Sequence, residues 1–345
     1  MQPDSHTKGN RFFMSTLPAL RVTVVGCGRR FDSAILPALQ ECGAQLVGVV
    51  DPDSENRKRA VQNAGLDTVT VSSDLLTVAL LRHAVPDIVV ISSPSGLHFQ
   101  QAKMCLEEGL PTFLEKPLAC RADEALLLQS LSGARLAASE QRVHRTDLLA
   151  VRDIIRSGQL GRLLAIDYQD RVAPAPAFRS SWRNRPSLAG GGVLLDLGYH
   201  TINTLQWLLD SNFADLVPSA VRFRYDSYAV ESRAWIRCTT AGIDLHLNVG
   251  LDMTHPREEL RISGTRGQLR VHRRRGNNEA STVELTGVQG ESAKTVHRLG
   301  RAHDTRSLKE FMSGKESVTS LERHVATVVT LEKLYSEGNG MERLR

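Results

Sequence analysis

The first 140 residues alternate short apolar runs with amphipathic ones, and this rhythm constrains the fold more than any other feature. The run at 20–28 (LRVTVVGCG) is β-branched and closes on glycines; 44–51 (AQLVGVVD), 85–98 (VPDIVVISSPSGLH), 111–117 (PTFLEKP) and 134–141 (ARLAASEQ) follow it, mostly ending in polar residues. Helix-like stretches separate them, among them DSAILPALQECG, SENRKRAVQNAG, FQQAKMCLEEG and DEALLLQSLS. Such repetition predicts a doubly wound parallel sheet, because parallel strands need helical crossovers that cover both faces. In sheets of this kind ligands gather at the carboxyl ends of the strands.

After about residue 145 the pattern changes. RTDLLAVRDIIRSGQLG (145–161) reads as an amphipathic helix, RLLAIDYQDRVAP as a strand, and VLLDLGYHTINTLQWLLD as a helix behind three glycines. From 220 to 300 the chain alternates apolar and polar residues, as in SRAWIRCTTAGIDLHLNVGLDMT and ELRISGTRGQLRVH. That period predicts a large, mostly antiparallel sheet covered on one face, an α+β domain. Two helices, HDTRSLKEFMSGK and LERHVATVVTLEKLYSEG, close the chain. At 345 residues the chain exceeds the usual size of one core. The expected division is a flexible leader at 1–19, a first domain at 20–141 and a second at 142–345.

Composition excludes several classes. The five cysteines are scattered, with no C-x-x-C pair or Cys/His cluster, so neither disulfides nor a metal site is expected. No apolar run approaches the ~20 residues of a membrane span, and the first 20 residues lack a secretory apolar core. The expectation is a cytoplasmic protein with no membrane partner. A net charge of +5 is spread along the chain except at 271–276 (VHRRRG). That cluster reads as a solvated hairpin tip, and with no recognition motif beside it no nucleic-acid partner is expected.

The polar strand ends carry the chemistry. Gly26-Cys27-Gly28 follows a strand and precedes a helix, the context in which small residues let the backbone approach a pyrophosphate. Arg29 and Arg30 add charge for the phosphates, and Phe31 occupies the position where a third glycine is usual. Asp51, ending the second strand, suits the adenosine ribose hydroxyls and disfavours a 2′-phosphate, which points to NAD; Arg57 and Lys58 leave NADP open. Ser93, Pro94 and Ser95 offer a turn that lines the cofactor, with His98 behind it as a supporting imidazole. Glu115-Lys116-Pro117 puts an ammonium group where the nicotinamide belongs. Asp196 and His200, at i and i+4, share a helix face, so that the carboxylate orients the imidazole for proton transfer. Gly190, Gly191 and Gly192 leave room for substrate in front of them.

Glu115-Lys116-Pro117 together with GGGVLLDLGYH (190–200) resembles the Gfo/Idh/MocA oxidoreductases, as do SWR at 181–183 and ISGTRGQLRV at 262–271. The resemblance runs from about residue 20 to 340. It implies a Rossmann domain with a nicotinamide cofactor, and a substrate-binding and oligomerisation domain whose open sheet forms homodimers or homotetramers. It implies a sugar-like substrate, with Lys116 at the reacting oxygen, Asp196 paired with it and His200 transferring the proton. Tyr168, Arg183 and Tyr199 are the expected substrate contacts. Asn203 stands where many members carry an acid. The competing expectation is a non-catalytic, dinucleotide-sensing regulator of the same fold.

Overall fold

The computed structural model describes residues 19–338, apart from 65–68, 70, 134, 176, 253, 255, 275–279, 288–289, 300–301 and 316–319. All but the last residue of the expected leader, and Arg275 of the basic cluster, lie outside the described residues.

Strands β1 (Arg21–Val25), β2 (Gln45–Val50), β3 (Val71–Ser73), β4 (Ile88–Ile91), β5 (Thr112–Leu114) and β6 (Leu136–Ala138) form a parallel sheet in the order 3-2-1-4-5-6. Every residue of β4 and β5 is buried, as helices on both faces require. The strand order reverses between β1 and β4, opening a crevice at their carboxyl ends. The glycine turn, Asp51, Ser93 and Glu115-Lys116 all stand at these ends.

The second sheet holds β7 (Leu163–Val172), β8 (Val217–Arg224), β9 (Arg233–Thr240), β10 (Ile243–Leu251), β11 (Arg257–Gly264), β12 (Gly267–Arg274), β13 (Ala280–Gly287) and β14 (Ser292–Arg298). Their order is 14-13-12-11-7-10-9-8, antiparallel except where β7 runs parallel to β10. Alternation along β7 turns Ile166, Tyr168 and Asp170 into the covered face. Helices Thr146–Arg156, Tyr199–Leu208 and Leu321–Glu337 lie on that side, and all ten residues of the middle one are buried.

The covered face carries ions as well as hydrocarbon. Arg142 pairs with Asp170, Arg145 with Asp147 (2.7 Å) and Glu258 (2.8 Å), and Arg273 with Glu258 (3.0 Å), all of them buried. The Tyr168 hydroxyl donates to Glu258 at 2.6 Å. Buried charges persist only when such partners are complete. Two expectations fall here. Tyr168 is 0% exposed within this network and cannot touch a substrate. Arg273 is an internal ion-pair partner and no part of a solvated tip.

The chain-order division after residue 141 is not the spatial one. Helix Ala302–Met312 returns to the first sheet, where the Phe311 ring lies 5.7 Å from Phe113 and Leu308 joins the same core. Helix Leu321–Glu337 then runs beside Tyr199–Leu208. No helix among the described residues is long and apolar enough to cross a membrane, no His/Cys/Asp/Glu group among them could hold a metal ion, and all five cysteines are free.

Candidate active site

The cofactor end is built by the first sheet. Gly26 has φ +91, and a Cβ there would lie 2.6 Å from the Ser92 backbone, so only glycine fits against β4. Gly28 has open space on its Cβ side, and of the helix that begins at Arg29 the N–H groups of Phe31 and Asp32 donate to the Gly28 carbonyl, while that of Arg29 has no backbone acceptor among the described residues. The middle N–H, that of Cys27, donates to Asp51 Oδ2 at 2.7 Å; its thiol is buried and pushed up to about 12 by desolvation and by Asp51. Phe31 is 0% exposed and packs with Val22, Val24 and Phe113, so its ring belongs to the core and not to the cofactor. The turn it starts, Phe31–Ile35, is π-helical, the local adjustment to a bulky residue where glycine is usual. Arg30 does not wait for phosphate: its Nε lies 2.7 Å from Glu115. Burial opposes ionisation of Glu115, but Arg30 overcomes it and holds the carboxyl below its usual range. Arg29 is exposed.

His98 is 1% exposed, with one ring nitrogen 2.8 Å from the Pro117 carbonyl and the other 2.9 Å from that of Ser93. It ties the loop after β4 to the loop after β5, and both of its ring nitrogens are thereby engaged. Ser93 Oγ donates to Gln101, Pro94 opens the turn, and Ser95 lines the cleft described below.

Lys116 and Asp196 meet as expected. The Lys116–Pro117 peptide is cis, and Lys116 Nζ donates to the Asp196 carboxylate and, at 3.0 Å, to its carbonyl. Arg183 Nε lies 3.5 Å from the other carboxylate oxygen. Desolvation would raise the Asp196 carboxyl, but Lys116 and Arg183 hold it well below the usual carboxylate range.

The expected partnership of Asp196 with His200 does not form. Leu194–Gly198 is a π-helical turn, and Asp196 turns to Lys116 while His200 Nδ1 lies 2.8 Å from Glu140 Oε2. Glu140, two residues beyond β6, is 0% exposed and also accepts the Arg142 N–H at 2.9 Å. Burial favours its neutral form, but His200 and Arg142 outweigh that and bring it down to about 2. An ionised acceptor makes Nδ1 the protonated nitrogen, a tautomer assigned from this hydrogen bond. Burial pushes His200 below the usual imidazole value, against the pull of Glu140. Nε2 is therefore an unprotonated acceptor, and it makes no hydrogen bond among the described residues. Sequence reasoning missed Glu140. The signal was present: an acid just past the sixth strand, at the same sheet edge as Asp51 and Glu115.

One further expectation is corrected. Tyr199 is 0% exposed, its hydroxyl 2.7 Å from His324 Nδ1, and is not a substrate contact. Asn203, where many members carry an acid, is buried and donates to Thr327 of the last long helix at 3.0 Å. The glycines also serve packing. A Cβ at Gly190 would meet Cys120 Sγ at 2.2 Å, one at Gly191 the Tyr335 hydroxyl at 2.6 Å, and one at Gly192 the Glu231 carbonyl at 2.2 Å. Glu231, also missed, accepts the N–H groups of Gly192 (2.8 Å) and Leu194 (3.1 Å) and the Tyr335 hydroxyl (2.6 Å). This buried carboxyl anchors the start of the active-site helix.

Comparison with known proteins identifies the family and the fold. The oxidoreductase family's NAD-binding Rossmann fold matches residues 20–135, and the GFO/IDH/MocA C-terminal domain matches 148–270. The chain belongs to the GFO/IDH/MocA family. It is 30% identical over 202 residues to inositol 2-dehydrogenase of Streptomyces avermitilis, covering 55% of this chain and 53% of the relative. It is 30% identical over 200 residues to dTDP-3,4-didehydro-2,6-dideoxy-alpha-D-glucose 3-reductase of Streptomyces violaceoruber, covering 57% and 56%. The GFO/IDH/MocA chain thus spans about half the length of the curated relatives it matches. Among solved structures, the 3-ketoreductase KijD10 of Actinomadura kijaniata, in complex with NADP and TDP-benzene, shares the fold with a TM-score of 0.78 at 20% identity. That match covers 93% of this chain and 98% of the other.

Proposed function

We propose that this chain is an NAD(P)-dependent dehydrogenase or reductase acting on a secondary alcohol or ketone of a sugar, cyclitol or sugar derivative. The observation that carries the reading is the pairing of bases and cations. His200 is held by Glu140 with Nε2 free to take a proton, and Lys116 stands one helical turn away on Asp196. The family relatives named above act on a cyclitol and on a nucleotide-linked sugar.

The residues present fit a dinucleotide. The open side of Gly28 and the helix start at Arg29 suit a pyrophosphate. The Asp51 carboxylate takes three hydrogen bonds from Cys27, Asp53 and Asn56, which leaves one of its four lone-pair sites, on Oδ2, for a ribose hydroxyl. Nearby cations are engaged elsewhere, Arg57 on the Asp51 carbonyl at 2.5 Å and Lys58 on Glu55 at 2.8 Å, which supports NAD over NADP. Held there, a nicotinamide would supply the hydride acceptor for oxidation of a carbinol and the hydride donor for the reverse reaction.

The protein's own part follows. In oxidation, His200 Nε2 takes the hydroxyl proton as the carbonyl forms, and Glu140 stabilises the resulting imidazolium. Lys116 stabilises the developing alkoxide, and Asp196 aims the ammonium group. In reduction the imidazolium returns the proton. The eight-stranded sheet keeps one face open, where a second copy of the chain would sit in a homodimer or homotetramer.

The test has two arms. The purified protein is denatured and any released nicotinamide dinucleotide identified by mass, and the apoprotein is titrated with NAD and NADP. A panel of polyols and keto-sugars is then read by nicotinamide absorbance. NAD binding with turnover of at least one member is expected. Failure to bind either dinucleotide overturns the reading, and cofactor binding without turnover favours a regulator of the same fold.

A further inference from the structure

The segment that covers the cleft is cationic throughout. Between Arg171 and Asp196 the chain carries Arg179, Arg183 and Arg185 and no acidic residue. Arg171 itself is matched by Asp252 at 3.5 Å. Arg179 and Arg185 are exposed; Arg179 lies over the Tyr228 ring at 5.0 Å, and neither has an ion pair among the described residues.

Arg183 is the one that faces the chemistry. With Phe178 and Trp182 it closes over Ser95, Leu195 and Asp196, enclosing about 20 Å³, room for a single water. The guanidinium stacks on Trp182, its carbon 4.3 Å from the ring centre, so it is held flat. Its single carboxylate contact is the long 3.5 Å approach of Nε to Asp196, an oxygen set that Lys116 already uses. The two terminal nitrogens make no hydrogen bond among the described residues.

Charge in the cleft is therefore unbalanced: Lys116 and Arg183 share one carboxylate. The other acids nearby do not correct this. Glu115 is matched by Arg30, and Glu140 is 0% exposed behind the imidazole. Half-exposed Arg183 and largely buried Lys116 thus face one carboxylate, and a second oxyanion would give the guanidinium a partner of its own. A flat guanidinium with its fork unused matches a carboxylate or phosphoryl group in bidentate geometry.

We propose that the substrate carries a fixed oxyanion, a carboxylate or a phosphoryl group, and that Arg183 receives it while Lys116 keeps Asp196. The proposal rests on the oxidoreductase reading for the sugar to which that oxyanion is attached. A carboxylate would mark a sugar acid; a phosphoryl group would mark a sugar phosphate or a nucleotide-linked sugar.

Calorimetric binding of D-glucose, D-glucuronate, D-glucose 6-phosphate and UDP-glucose to the full chain loaded with NAD tests it. At least one anionic probe is expected to bind about 10-fold or more tightly than D-glucose, the scale of a charge-assisted hydrogen bond. Which anion leads separates the carboxylate from the phosphoryl source. Arg183→Gln should close the gap and Arg183→Lys retain part of it, with NAD affinity unchanged in both as the check on folding. If every anion binds no tighter than D-glucose, or if the gap survives Arg183→Gln, the proposal is overturned. Because binding is read without turnover, an anion preference with no reaction would refute the oxidoreductase reading alone. Turnover of neutral sugars with no anion preference would refute this inference alone.

Discussion

Two hydrogen-bonded side-chain pairs flank the reacting position, and they are built differently. Lys116–Asp196 opens onto the cleft: the Asp196 side chain is 39% exposed and a second cation, Arg183, leans on it. His200–Glu140 is sealed, at 8% and 0% exposure, with Arg142 and the ionic layer of the second sheet behind it. The open pair can exchange partners when a substrate arrives. The sealed pair cannot, so Glu140 fixes which imidazole nitrogen carries the proton, and burial keeps the ring neutral until the reaction charges it. The difference assigns substrate placement to one wall and proton transfer to the other.

That contrast can be broken from its largest effect downward. His200→Gln removes the proton acceptor and should lower kcat about 10²–10⁴-fold in either direction, measured by steady-state kinetics with the NAD-loaded protein. A loss confined to KM would mean that His200 only binds substrate.

Glu140→Gln keeps the shape of the sealed pair and removes its charge. Loss of a charged hydrogen bond of about 1.5–3 kcal/mol predicts a fall in kcat of about 10- to 100-fold. The pH profile gives the sign. Burial already places the His200 value below the ordinary 6.5, and Glu140 raises it. The acid limb of kcat/KM in the oxidative direction, where protonation disables the base, should therefore lie below 6.5 and move still lower in Glu140→Gln. A limb that moves up would reverse the assigned role.

The smallest change tests the glycines. A Cβ at Gly192 would stand 2.2 Å from the Glu231 carbonyl, so Gly192→Ala should cost about 1–3 kcal/mol in denaturant unfolding. An unchanged midpoint with a raised KM would show that the glycine makes room for substrate instead of for Glu231.

The first sheet was nearly all legible in the sequence, because parallel strands buried on both faces leave long apolar runs and put their polar residues at one edge. Asp51, Lys116 and the glycine turn were found by that edge rule. Glu140 obeys the same rule but follows a strand of only three residues, too short to announce where it ends. The Asp196–His200 pairing failed for another reason. The i, i+4 argument assumes regular α-helical winding, and Leu194–Gly198 is π-helical, so the two side chains part company. Tyr168 and Tyr199 were misplaced because their rings turn into ionic and polar layers that only the fold assembles. The boundary after 141 missed the return of helix Ala302–Met312 because a helix's sequence does not show which sheet it covers.

The central claim is that burial keeps His200 neutral while Glu140 fixes its proton on Nδ1, leaving Nε2 as the base. Nitrogen-15 spectra of histidine-labelled protein at pH 7, compared with those of His200→Gln, read this directly. The account predicts that the signals lost in the variant belong to a neutral ring protonated at Nδ1. A ring protonated at Nε2, or at both nitrogens, would contradict it.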